Sequence, residues 1–147
     1  MPAKRKRYAC DLRLTTFQVR EAQGPQMKSA SDFANEFREA AWLDREAFFA
    51  VTLSQKHTII DKHLVALGTL TASLVHPREI FRCAIQDSAA AVALLHCHPS
   101  GDPTPSHDDR AITRRLKEAG DLLGIRVIDH IVLGRNKYVS FVDEGLL

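Results

Sequence analysis

The segment that most constrains this chain is residues 89–98, a near-continuous apolar run that stops on two histidines. An apolar run of this length between turn signals reads as a central strand buried on both faces. The next segment is equally restrictive. Residues 99–105 (PSGDPTP) hold three prolines and a glycine in seven positions, which excludes regular structure. Ser106 then caps a helix running to about Leu123, and Gly124 ends it.

The flanking text supplies the remaining elements. Ser29 and Ser31 offer caps for a helix through about Trp42, with Phe33, Ala34, Phe37, Ala40 and Ala41 as its apolar stripe. Residues 47–53 and 58–67 read as strands joined by a turn at 54–57, and Gly68 ends the second. Pro77 suits the first turn of a helix reaching about Ser88. Residues 125–133 and 138–142 read as a last pair of strands around a turn at 134–137. Tyr8 to Phe17 alternates weakly, as an edge strand would. The order is helix, two strands, helix, strand, helix, two strands. It predicts an α/β sandwich with a mixed central sheet flanked by helices, as one domain over residues 29–147 behind a basic tail, residues 1–28.

Composition narrows the class. With 147 residues, 45% hydrophobic and 26% charged, the chain can bury a core without disulfide or metal staples. No apolar run approaches the ~18 residues that span a bilayer, so no membrane association is expected. The basic start is followed by no apolar h-region, so no secretory signal is expected. Three cysteines without a CxxC pair fit a reducing cytosol, and a cytoplasmic location is expected. Four of the 20 basic residues stand at positions 4–7, leaving 16 against 18 acids in the rest. The positive charge therefore belongs to a tail. Such a tail is either a solvated terminus or a phosphate contact to nucleic acid.

Seven histidines against three cysteines direct attention to an imidazole site. His96 and His98 are two apart at a strand end, so both project to one face while Cys97 projects to the other. The pair suits a metal, and it equally suits two hydrogen-bonding groups at a strand terminus. Asp102, Asp108 and Asp109 are candidate third ligands. Ser106 and Asp109 share a helical face, and Ser-x-x-Asp is also a helix-capping arrangement. Two imidazoles and a carboxylate leave a fourth zinc position for water, which then needs a general base. Glu46, where a helix gives way to an apolar strand, is distinctive among the upstream glutamates. It also reads as one acid in the exposed 44–46 charge cluster.

Together these residues resemble a known pattern. His96-x-His98, seven residues, Ser106-x-x-Asp109 and an upstream Glu46 resemble the JAMM metalloprotease motif of MPN-type domains. The blocks GTL (68–70), HPREIF (76–81), HCHPSGDPTPS, RRLKEAG, LLGI, DHIVLG and YVSF resemble the bacterial RadC family over roughly residues 29–142. The resemblance implies a JAMM (MPN, cytidine-deaminase-like) fold and one zinc per chain, held by His96, His98, Asp109 and a water. Glu46 matches the glutamate that takes the water's proton, and Ser106 the serine that steadies an oxyanion. The implied reaction is hydrolysis of an amide, peptide or isopeptide bond in an unidentified protein or peptide.

Two departures stand out. Cys97 occupies a position where the family usually has Asn, and should point away from the metal. Longer members carry an N-terminal helix-hairpin-helix segment associated with DNA, which the residues before Ser29 are too few to form. Asp129 and His130 read either as a strand-end hydrogen-bonded pair or as the lining of a substrate groove. The alternatives to a hydrolase are a DNA-repair-associated nucleic-acid-binding protein and a non-catalytic MPN scaffold. An exposed sheet edge would allow a homo-oligomer.

Overall fold

The computed structural model describes residues 22–69 and 74–147. The basic run at 4–7 and the expected strand at 8–17 lie outside the described residues. Helix α1 (Ala30–Glu36) leads through a 3-10 turn (Arg38–Trp42) into β1 (Ala47–Leu53) and β2 (Ile59–Leu67). After these come α2 (Pro77–Gln86), β3 (Ala91–Cys97), α3 (His107–Leu123), β4 (Arg126–Gly134) and β5 (Lys137–Ser140). The strands form one sheet in the order β2-β1-β3-β4-β5. Only β3 and β4 run parallel, and α3 is the crossover that a parallel pair requires. The fold is α/β with a mixed sheet, as the element order predicts.

The centre of the sheet is β3, whose seven residues are all buried. Its alternation divides two cores. Ala91, Ala93, Leu95 and Cys97 join Phe33, Phe37, Ala47 and Val51 on the α1 side. Val92 and Leu94 join Phe48, Ala50, Ile80, Phe81, Ile112 and Leu116 on the side of α2 and α3. His96 therefore emerges above the second core, at the C-terminal end of a parallel strand and beside the N-terminus of α3. Open α/β sheets characteristically place ligand crevices there.

Three sequence expectations are corrected. The first helix does not run to Trp42. It starts on a full Ser29–Asp32 capping box but ends at Glu36, and hydrogen bonds from Ala40 to Phe37 and from Leu43 to Ala40 tighten the rest into a 3-10 turn. Phe37 at the junction packs edge-on against Phe49, centroids 5.5 Å apart, so tertiary packing overrides the helical pattern. The last strand stops at Ser140 rather than 142. Asp129 draws the chain into a turn by accepting from the Ser140 hydroxyl (2.6 Å) and the Val142 amide (3.1 Å). The packed region also begins upstream of Ser29. Gly24 and Met27 donate to the Ile59 and His57 carbonyls, and Met27 is buried.

Candidate active site

Each element delivers its side chain for a local reason. Strand β3 ends at Cys97, yet the His98 amide donates to the Leu133 carbonyl (2.9 Å), so the strand direction persists for one more residue. His96 and His98 thus project together, their Nε2 atoms 2.8 Å apart. The capping box of α3 supplies Asp109. Its carboxylate accepts from the Ser106 amide (2.7 Å), and its own amide donates to the Ser106 hydroxyl (3.1 Å). The two readings of Ser-x-x-Asp are therefore compatible, because the same carboxylate places Oδ1 3.3 Å from His96 Nε2 and Oδ2 3.3 Å from His98 Nε2. The ligating atoms of Glu46, His96 and His98 lie within 4.8 Å of one another.

The proton count fixes both imidazoles. A carbonyl can only accept, so His98 Nδ1–H donates to the Asp102 carbonyl (2.8 Å) and leaves Nε2 as a lone pair. Thr113 donates its hydroxyl to the Asp109 carbonyl (2.7 Å) and therefore accepts from His130 Nδ1–H. His130 Nε2 then accepts from His96 Nδ1–H (3.0 Å), which leaves His96 Nε2 as a second lone pair. Two lone pairs 2.8 Å apart, facing one carboxylate, require a cation between them: a proton or a metal ion. Metal-binding histidines are held in this way, with the far ring nitrogen donating to a fixed acceptor. The donor set fits a zinc ion with three protein ligands and an open position.

The electrostatics agree. Burial pushes His96 down to about 4, overriding the attraction of Asp109, so the ring is neutral at pH 7. Burial holds His130 well below the ordinary histidine range, with the neighbouring imidazoles adding to the effect. His98 moves upward, chiefly through its contact with Asp109, against the opposing effect of burial. Burial alone would raise Asp109, but His98, His96 and Ser106 outweigh it and hold the carboxyl well below its usual range.

The loop at 99–105 is tied down rather than loose. Gly101 donates to the His98 carbonyl (2.9 Å) and accepts from the Arg135 amide (3.1 Å). Gly134 makes this closeness possible. A Cβ there would strike the Gly101 carbonyl and lie 2.8 Å from Pro103 Cδ. Beside Glu46 opens a cleft of about 560 Å³ lined by Asp44, Arg45, Glu46, Gly68, Thr69 and Pro99. A separate cleft of about 450 Å³ near Trp42 and Tyr138 contains none of the residues of the imidazole cluster.

Cys97 is buried in the α1-side core, with Sγ donating to the Arg45 carbonyl at 3.6 Å; burial pushes its thiol upward. Asp129 is separated from its neighbour His130. Its carboxylate serves Ser140, Val142 and the His130 amide and takes no part in the imidazole chain. Sequence reasoning missed Thr113. Its signal was slight: one turn beyond Asp109, on the same helical face.

A mixed sheet carrying an HxH pair at the end of its central strand, with a capping aspartate and a strand-entry glutamate beside it, defines an α/β domain of the JAB/MPN class. A sequence model described as a RadC-like JAB domain matches residues 27–146, and the chain belongs to that family. It is 56% identical over 103 residues to a UPF0758 protein of Pelobacter propionicus, covering 70% of this chain and 45% of that protein. It is 57% identical over 107 residues to one from Symbiobacterium thermophilum, covering 73% and 46%. The chain spans about half the length of these curated relatives. Among the described residues, no helix is long and apolar enough to cross a membrane.

Proposed function

We propose that this domain is a zinc-dependent hydrolase that cleaves an amide bond in a peptide or isopeptide substrate. One observation carries the reading: two imidazole lone pairs and the Asp109 carboxylate converge on one point within reach of Glu46. His96, His98 and Asp109 would hold the ion. Zinc, when bound, supplies a Lewis acid that acidifies a water and polarises a carbonyl.

The chain's own groups do the rest. Glu46 takes a proton from the attacking water as its oxygen adds to the carbonyl carbon. It returns that proton to the nitrogen as the C–N bond breaks, giving a carboxylic acid and an amine. Ser106 accepts from the Asp109 amide, so its own hydroxyl hydrogen is available to donate to the developing oxyanion. The cleft beside Glu46 would admit an extended backbone.

The test is a quenched-fluorescence peptide library incubated with the zinc-loaded chain and with Glu46→Gln. Cleavage by the first and not the second, with zinc retained by both, supports the assignment. Equal cleavage by both would remove Glu46 as the base. A chain that takes up no zinc at His96 and His98 would end the hydrolase reading.

A further inference from the structure

A groove runs along α1 on the face of the sheet opposite His96. Helix α1 and the 3-10 turn pack chiefly on β4. The last strand of the sheet, β5, lies beyond them. Tyr138 of β5 stands opposite Leu133, a residue of the α1-side core, so its ring projects onto this face. Two clefts open here, and Tyr138 lines both. The first, about 450 Å³, has Ala34, Ala41 and Leu133 in its wall. The second, about 420 Å³, has Phe33, Ile128 and Val142. They follow one another along the helix, with Tyr138 between them.

Three observations define what fits. First, apolar walls are rimmed by aromatic rings open to solvent. Trp42 is 66% exposed and Tyr138 38%. Exposed aromatic residues beside an apolar cleft are the usual anchors of a binding surface. Second, the first cleft is positively charged. Arg38 and Lys137 line it, and Arg135 lies over the Trp42 ring, 5.9 Å from its centroid. Glu39 is the one acid in its lining. Among the described residues, none of these three cations has an ion-pair partner. Lys137 acts on Asp102 only at a distance, and that carboxylate is bound to Thr104 (2.7 Å). The second cleft is closer to balance, with Lys28 against Asp143. Third, the backbone offers an edge. The Phe141 amide donates to His130 in β4 (3.0 Å). Antiparallel alternation then turns the Tyr138 amide and carbonyl to the open side of β5.

We propose that this groove docks an extended peptide segment of mixed acidic and apolar composition. Alternate side chains enter the two clefts while the backbone meets the Tyr138 amide and carbonyl. The acidic residues lie at the first cleft, among Arg38, Arg135 and Lys137. That end adjoins the 99–105 loop, since the Arg135 amide donates to the Gly101 carbonyl (3.1 Å). Single-stranded nucleic acid fits less well. It needs flat stacking platforms, whereas Arg135 already covers one face of Trp42 and the first cleft has aliphatic walls. The proposal concerns binding alone and stands apart from whether the imidazole cluster cuts amide bonds.

The test is retention of the labelled full chain on a printed array of short peptides of varied charge and apolar content, with oligo-dT as the nucleic-acid probe. Peptides that combine acidic and apolar residues should be retained. Arg38→Glu with Lys137→Glu should weaken them about tenfold or more and favour basic peptides instead. Both positions are exposed, so the fold should survive, as a thermal melt will show. Should the double variant unfold, Arg38→Ala alone must still lower retention of the acidic peptides. Arg110→Glu with Arg114→Glu, exposed on α3 away from the groove, should leave them unchanged. No selection among peptides, an equal loss in the α3 variant, or retention of oligo-dT in place of acidic peptides overturns the proposal.

Discussion

Two imidazole–carboxylate clusters, the central one and one of Asp61, His63 and Asp87 at the β2 edge, are built from the same parts and held to different standards. In the central one, His96 is fully buried, both rings have their tautomers fixed, and a threonine hydroxyl, Thr113, anchors the chain of hydrogen bonds. In the edge one, His63 is partly exposed, and the buried threonine, Thr52, stands behind the carboxylates rather than the ring. The central cluster lies at the end of a buried strand beside a cleft and a glutamate. The edge cluster joins a helix end to an outer strand. The difference teaches that similar donor sets are set apart by their surroundings: a neighbouring glutamate, a nearby cleft and rings whose tautomers are fixed.

The sharpest way to break this comparison is to strip the base from one cluster and an acid from the other. Glu46→Gln should lower turnover by about 10²–10⁴-fold, the usual worth of a positioned general base, while zinc affinity stays the same. Asp61→Asn should leave turnover unchanged. Initial rates on any peptide found in the library screen, with zinc content measured on the same samples, decide it. A drop of similar size in both variants would mean that the edge cluster supports the chemistry.

Gly134→Ala acts on the central cluster through the backbone. The added methyl collides with the Gly101 carbonyl and Pro103, which belong to the loop whose Asp102 carbonyl holds His98. Overpacking of this kind costs about 1–3 kcal/mol. Thermal melts should show that loss, and zinc titration should show weaker binding.

These contrasts also explain what could be read from the sequence. The β3–loop–α3 block was legible because its signals are local: an apolar run, three prolines and a cap spaced three from an aspartate. Glu46 became more than one acid in a charged cluster only through the family resemblance, since 50 positions separate it from His96 and only the pairing of β1 with β3 brings them together. The edge cluster was not legible. His63 reads as one more polar residue alternating out of a strand and Asp87 as a helix-end acid. Their meeting depends on the β1–β2 register and on where α2 ends. The shortening of α1 was hidden for a similar reason, because Phe49, on another element, decides it.

Thr113→Val tests whether the relay behind His96 matters. The hydroxyl is buried and accepts the His130 proton that orders the whole chain. Its loss lets His130 take the other tautomer, whose Nε2–H then opposes His96 Nδ1–H. Zinc affinity at the central cluster should fall about 10–100-fold, the range for outer-shell partners. Unchanged central affinity would show that His96 is held by packing against Phe48, 5.8 Å away, rather than by the relay.

Thr52→Val is the matching change at the edge, and its effect should be the smallest. Valine keeps the shape of threonine but removes one donor from Asp87 and the acceptor of the Asp61 amide. The unsatisfied groups should cost about 1–3 kcal/mol in urea denaturation, while zinc uptake at the central cluster stays the same, because Thr52 touches none of its residues.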